Sequence, residues 1–191
     1  LELNKIKTIG DAYFLAGGLD PKIKDHAIRM IEAAMFMYTA LDEHNARHLD
    51  RDPLRMRLGI HSGPAVAGVI GTKKVAYDLW GASVVIANAM ESTGVPQTIH
   101  VSATTLAMAH GYYEVKARGE LPQEKGVPNE MPATFLIQGR LLPTPYMHIV
   151  RPRMQSKKAV AKKLAASDAV SDAVKARRSS SVVGLGESPP R

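Results

Sequence analysis

The chain has 191 residues, of which 45% are hydrophobic, and this is enough for one domain with a core but too little for two full domains. A net charge of +7 would suggest a nucleic-acid or membrane partner if it were spread over the fold. Residues 1–142 hold 15 Lys+Arg and 15 Asp+Glu, whereas residues 143–191 hold 10 and 3. The excess charge therefore lies in the last segment, and the sequence predicts no nucleic-acid partner for the folded part.

Two absences narrow the function classes further. The sequence contains no cysteine, which excludes disulfides, cysteine-ligated metals and thiol catalysis. It also contains no apolar run near the ~20 residues that a membrane span requires. The whole chain is therefore expected on the cytoplasmic side of the membrane. It could still be part of a larger protein that is bound to a membrane.

Apolar periodicity and turn residues predict interleaved strands and helices. In chain order the predicted elements are a β-hairpin of residues 1–8 and 12–16, a helix from Pro21 to near Asn45, strands at 54–60, 65–70 and 75–80, a helix capped by Ser83 and running to near Thr93, a strand at 98–101, a short helix capped by Ser102, and closing strands at 112–117 and 134–137. This alternation indicates an α/β or α+β class with one sheet and covering helices.

The predicted domain covers residues 1–142, and residues 143–191 form a separate segment. That segment is rich in basic pairs, alanine and serine and has few large apolar side chains. Such a composition cannot offset the entropy of ordering the chain, which predicts a basic and largely disordered tail.

Asp11 follows a glycine at the tip of the predicted hairpin, so its carboxylate projects from a tight turn. Mg²⁺ typically takes one or two protein carboxylates and completes its shell with phosphate oxygens and water. A Gly-Asp pair in a hairpin is nevertheless more often simple turn chemistry. The turn alone leaves both interpretations open.

Three longer segments carry a more specific signal: IKTIGDAYFLAGGL, RMRLGIHSGPAVAGVIG and YDLWGASVVIANAMESTG, in this order and spacing. Together they resemble the class III adenylate and guanylate cyclases over most of residues 3–140. The resemblance implies a ferredoxin-like α+β fold with one mostly antiparallel sheet covered by helices. It also implies that the first strand of this fold lies upstream of residue 1, so that the domain is truncated at its N-terminus here.

The resemblance further implies a head-to-tail dimer of homologous halves with two Mg²⁺ or Mn²⁺ ions at the interface. One of the two aspartates that hold the ions matches Asp11, and the other would lie upstream of residue 1. The implied reaction is attack of the ribose 3′-hydroxyl of ATP or GTP on the α-phosphorus, with pyrophosphate leaving. Arg57 matches an arginine that contacts the phosphates, a task that suits the fixed fork of a guanidinium. Without the resemblance, Arg57 is better interpreted as a solvated arginine opposite a carboxylate.

Lys7 and Asp78 match the two positions that read the purine base in this family. Lysine with aspartate resembles the adenylate cyclases, because the pair complements the adenine edge, whereas guanylate cyclases tend to carry glutamate and a small residue. Seven and eleven residues after the aspartate, the nucleotide-binding half of the family carries an asparagine and an arginine, but this chain has Val85 and Ala89. Neither side chain can donate a hydrogen bond to the developing charge.

This combination resembles the half of a heterodimeric cyclase that keeps the metal site and depends on a partner for the transition-state donors. On that interpretation Asp11 and Arg57 serve the active site, and Lys7 and Asp78 line a degenerate second pocket. ATP and GTP then both remain possible substrates. Two alternatives stay open: a catalytically inactive regulatory module that supports its partner, and a self-sufficient homodimer in which other groups replace Val85 and Ala89.

Overall fold

The structure is a computed structural model, and it describes residues 1–73, 75–109, 111–119 and 131–148. These ranges contain eight strands and three helices. The elements are β1 (Asn4–Ile9), β2 (Ala12–Ala16), α1 (His26–Arg47), β3 (Leu58–Ile60), β4 (Val66–Ile70), β5 (Ala76–Trp80), α2 (Ala82–Ser92), β6 (Ile99–Ser102), α3 (Ala103–Met108), β7 (Tyr113–Ala117) and β8 (Thr134–Arg140). Within the described ranges, no helix is both long and apolar enough to cross a bilayer.

The strands confirm the α+β class and the dominance of antiparallel pairing. The central sheet has the strand order β3-β6-β8-β7, in which only the β3 and β6 pair is parallel. Two antiparallel hairpins, β1-β2 and β4-β5, stand beside it. The sequence predicts one sheet, whereas the described strands fall into three hydrogen-bonded groups. A side-chain ion pair connects the two hairpins, and it belongs to the candidate site.

The first long helix begins five residues later than the apolar pattern predicts. Asp20 forms a turn before it, with its carbonyl accepting from the Ile23 backbone N–H and its carboxylate accepting from the Lys22 N–H. These bonds hold residues 20–23 outside the helix, so α1 begins at His26. The turn chemistry of aspartate outweighs the helical spacing here.

Ser83 does not cap the second helix as predicted. Gly81, with φ = +128°, occupies the position before the first helical residue, and α2 begins at Ala82. The Ser83 hydroxyl instead donates to the Pro64 carbonyl at 2.7 Å and ties α2 to the loop between β3 and β4. Ser102 does cap α3, since its Oγ accepts from the Thr105 N–H.

The core lies between α1 and the central sheet. Its buried apolar residues are Ile28, Ile31, Ala34, Ile60, Ile99, Val101, Ala109, Tyr113 and Ile137. One charged residue is buried among them: Glu32 is 0% exposed. Its carboxylate accepts from Arg140 Nε at 2.8 Å and Nη2 at 2.6 Å, and from the Tyr113 hydroxyl at 3.0 Å. The bidentate guanidinium compensates the charge and fastens α1 to β8.

The first residues after position 142 pack on the folded unit. The Tyr146 hydroxyl donates to the Asp25 carboxylate, and the Arg29 guanidinium lies 4.9 Å from the centre of the Tyr146 ring. Thr144 is buried nearby in the chain. The rest of the predicted tail, from residue 149, lies outside the described residues.

Candidate functional site

Asp11 lies at the tip of the β1-β2 hairpin, as the sequence predicts. Ile9 pairs with Ala12, so Gly10 and Asp11 form a two-residue turn. Gly10 adopts φ = +61°, a conformation that glycine takes without strain. Asp11 is exposed, and within the described residues its carboxylate has no hydrogen bond or ion pair. The carboxylate is therefore free to bind a ligand from solvent.

The donor chemistry at Asp11 fits a divalent cation that shares its coordination with a substrate. The described residues contain no group of three or more His, Cys, Asp and Glu side chains able to hold a metal ion. A closed metal site within this chain is therefore not formed by these residues. A single free carboxylate agrees with a Mg²⁺ site whose remaining oxygens come from phosphates, water and another segment.

Lys7 and Asp78, which are 71 residues apart, form an ion pair. Lys7 Nζ lies 2.5 Å from Asp78 Oδ2, and the side chains are 42% and 16% exposed, respectively. The hydrogen bond from Lys7 is the main cause that lowers the pKa of Asp78, and a second bond from the Leu79 backbone N–H acts in the same direction. Asp78 is therefore an anion that Lys7 holds in place. The two predicted base readers lie together, and their contact joins β1 to β5.

Arg57 lies opposite a carboxylate, as the alternative interpretation of this residue expects, and the sequence did not indicate which carboxylate this is. Its Nε donates to Glu91 Oε1 at 3.0 Å, and both side chains are partly exposed. Among the described residues, no hydrogen bond or ion pair connects Arg57 to Asp11 or to the Lys7 and Asp78 pair. Glu91 belongs to the VVIANAMES segment of α2, 34 residues further along the chain. No local pattern could have linked the two residues.

The helix α2 also carries the two positions where hydrogen-bond donors are missing. Val85 is 49% exposed, whereas Ala89 is 1% exposed. The Ala89 carbonyl accepts from the Thr93 backbone N–H at 3.0 Å and from the Thr93 hydroxyl at 2.7 Å. Val85 thus presents an apolar side chain at the surface, whereas packing around Ala89 excludes solvent and ligands from that position.

Comparison with known proteins identifies the class. Residues 1–139 match the family model of the adenylate and guanylate cyclase catalytic domain. The chain is 44% identical over 115 residues to a membrane guanylyl cyclase of Dictyostelium discoideum, a match that covers 60% of this chain and 8% of that protein. It is 39% identical over 145 residues to human retinal guanylyl cyclase 1, covering 73% of this chain and 13% of that protein. The chain thus spans about a tenth of the length of these relatives.

Solved structures agree with the family model. The guanylyl cyclase Cya2 has a TM-score of 0.64 and 29% identity, with 75% of this chain and 73% of that chain covered. The guanylate cyclase domain of RhGC from Catenaria anguillulae, in complex with GTP, has a TM-score of 0.57 and 27% identity, with 72% and 73% covered. The chain therefore belongs to the adenylate and guanylate cyclase catalytic domain family. The resemblance drawn from the three motifs is confirmed.

Proposed function

We propose that this chain is the metal-carrying half of a purine nucleotide cyclase, active only with a complementary half. The observation that carries this proposal is the division of functional groups within the chain. The Asp11 carboxylate and the two outer amino groups of Arg57 have no partner among the described residues, whereas Val85 and Ala89 have no donors for the transition state. Loss of one such donor costs about 2.7–4 kcal/mol where enzymes have been tested. A homodimer would therefore be poorly active.

In this function each retained residue has a separate task. The Asp11 carboxylate would hold a divalent cation, with the second aspartate supplied by the strand expected upstream of residue 1. When bound, one Mg²⁺ or Mn²⁺ ion would lower the pKa of the ribose 3′-hydroxyl, and both ions would screen the charge of the triphosphate. Arg57 would bind the phosphate oxygens and hold the α-phosphorus in line for attack. Pyrophosphate is the leaving group, and the 3′-oxygen closes the cyclic nucleotide.

An exposed apolar surface supports the need for a partner. The β4-β5 hairpin is a two-stranded ribbon in which Leu79 is buried but the other large apolar side chains are exposed, on both faces: Val66, Val69, Ile70, Tyr77 and Trp80. A ribbon of two strands is marginally stable in water, and contiguous exposed apolar patches typically mark interaction sites. The same ribbon carries Asp78. We infer that the complementary half covers this surface.

We infer that the partner half, and not this chain, selects the purine base of the substrate. Lys7 and Asp78 favour adenine, whereas the similar proteins named above are guanylyl cyclases. Both observations are compatible with a degenerate pocket in this chain, in which the ion pair serves the structure and the partner selects ATP or GTP. The names of the relatives, which include a membrane guanylyl cyclase, also support a catalytic domain on the cytoplasmic side of a larger membrane protein.

The test is a cyclase assay on the complete domain, including the strand expected upstream of residue 1, with its complementary half, with Mn²⁺ and with ATP and GTP in separate reactions. We expect product from one nucleotide, none from the chain alone, and loss of product in Asp11→Ala. The matched control is Asp50→Ala, because Asp50 is exposed on the loop between α1 and β3 and its ion pair with Arg51 is long, at 3.5 Å.

The other outcomes discriminate between the alternatives. Product from the chain alone would support the self-sufficient homodimer. Absence of product from either nucleotide, with a folded pair of halves, would support the regulatory module without catalysis. An equal loss of cyclase activity in Asp11→Ala and Asp50→Ala would contradict the proposal that Asp11 is a metal ligand.

A further inference from the structure

Arg57 is held by a single hydrogen bond that leaves most of its fork open. The guanidinium has five N–H groups, and the bond to Glu91 uses the one on Nε. Among the described residues, Nη1 and Nη2 have no protein partner. A carboxylate bound at Nε fixes the rotation of the side chain while the two outer amino groups stay available. This arrangement suits bidentate binding of a phosphate.

Backbone packing fixes the position of Glu91. The strand β3 follows Arg57 directly, and Gly59 on this strand lies against the last turns of α2. A Cβ placed on Gly59 would lie 2.3 Å from the Glu91 backbone nitrogen and 2.7 Å from the Met90 carbonyl carbon. A Cβ on Gly94 would lie 2.9 Å from the Glu91 carbonyl oxygen and 3.6 Å from Arg57 Cβ. Gly59 thus allows α2 to approach β3, and with it the neighbouring Arg57, closely.

The ion pair is not explained by stability. Both side chains are partly exposed, and pairs of this kind contribute about 0–1 kcal/mol to the free energy of unfolding. A carboxylate beside a triphosphate site also repels the substrate, so its presence opposes binding unless it has another task. Orientation of Arg57 is such a task, because misplacement of a binding group by about 1 Å can reduce the rate a hundredfold.

We propose that Glu91 is a positioning residue for the reaction: it holds Arg57 through Nε and thereby presents the two outer amino groups to the phosphates. This inference rests on the proposed function of Arg57 as the phosphate ligand. It adds a residue on α2, the same helix that lacks the transition-state donors.

Three variants separate positioning from charge and from stability. Glu91→Leu removes the acceptor, Glu91→Gln keeps an oxygen at the same place without the charge, and Glu114→Leu removes an exposed carboxylate on β7 as a control. With the complete domain, including the strand expected upstream of residue 1, and its complementary half, we expect Glu91→Leu to lower kcat/KM by about ten- to a hundredfold. Glu91→Gln and Glu114→Leu should stay within about threefold of the wild type, and all three should unfold at nearly the same temperature.

A double-mutant cycle gives the decisive readout. In an Arg57→Ala background, Glu91→Leu should have no further effect on kcat/KM, because Glu91 acts only through the arginine. Additive losses in the double variant would overturn the proposal, as would a wild-type value in Glu91→Leu. A loss in Glu91→Gln as large as in Glu91→Leu would also overturn it, because the oxygen acceptor would then be irrelevant.

The same cycle is measured in binding, which separates this proposal from the proposed function. Calorimetric titration with inorganic tripolyphosphate reports the affinity of Arg57 for phosphate oxygens without any reaction. If the wild-type pair makes no cyclic nucleotide but Glu91→Leu weakens tripolyphosphate binding only when Arg57 is present, the cyclase function fails and the positioning role stands. If the affinity does not depend on Arg57, the positioning proposal fails.

Discussion

Replacing Gly59 by alanine tests the close contact between β3 and α2. The added Cβ would lie 2.3 Å from the Glu91 nitrogen, 2.7 Å from the Met90 carbonyl carbon and 2.8 Å from the Ala87 oxygen. All three atoms belong to the backbone, so no side-chain rotation can relieve the overlap. To restore an ordinary contact distance of 3.4 Å, α2 has to move away from β3 by about 1 Å.

The expected cost of Gly59→Ala follows from this displacement. Overpacking of a well-packed site typically costs 1–3 kcal/mol, and a clash with backbone alone belongs near the upper limit, about 3 kcal/mol. For a domain of this size, each kcal/mol lowers the melting temperature by roughly 4 °C, so a fall of about 12 °C is expected. Thermal unfolding of the full chain, followed by far-ultraviolet circular dichroism, measures it.

Gly139→Ala is the matched control for this experiment. Gly139 lies in β8, where a Cβ would meet nothing within 4 Å, and its φ is not in the left-handed region. Its replacement should leave the melting temperature unchanged or raise it slightly, since alanine reduces the entropy of the unfolded chain. A melting temperature of Gly59→Ala equal to that of the wild type, or equal losses in both variants, would refute the reasoning.

Two further predictions concern buried groups. Arg140→Met leaves the Glu32 carboxylate buried without its partner and should lower the free energy of unfolding, measured by urea titration, by about 3–5 kcal/mol. The double variant with Glu32→Leu and Arg140→Met should recover most of this loss. A double variant as unstable as Arg140→Met alone would contradict this prediction. Burial lowers the pKa of both His100 and His61 below the ordinary value of 6.5, so the unfolded state binds more protons near that pH. Stability should therefore fall as pH drops below about 6.5, with a smaller slope in His100→Gln; an unchanged slope would exclude His100 as a contributor.

The sequence predicted those parts of the fold that depend on local signals. The β1-β2 hairpin and the cap of α3 by Ser102 follow from alternation, turn residues and capping chemistry within a few positions. The start of α1 was displaced because Asp20 competes for the same backbone, and the predicted strand at 54–60 is short because only β3 pairs with β6 as a ladder. These differences arise where a side chain or a distant strand decides between two local possibilities.

The sequence predicted which residues belong to the candidate site, but it did not predict which of these residues contact each other. Asp11, Arg57, Lys7 and Asp78 followed from motifs, and their roles as metal, phosphate and base ligands stay predictions. The Lys7 and Asp78 contact spans 71 positions and depends on how two hairpins meet, which no periodicity encodes. Glu91 was missed for the same reason.

The burial of Ala89 agrees with the proposed division of functional groups between this chain and a partner half. At 1% exposure, the position has no room for an arginine unless α2 shifts, and a guanidinium held there without a partner would be strongly unfavourable. The same helix packs its last turns against Gly59 and so places Glu91 beside Arg57. Close packing of α2 is therefore compatible with the proposed support of Arg57 and leaves no space at position 89 for a side chain that donates to the transition state. A helix with these two properties fits one half of an asymmetric enzyme better than either half of a symmetric one.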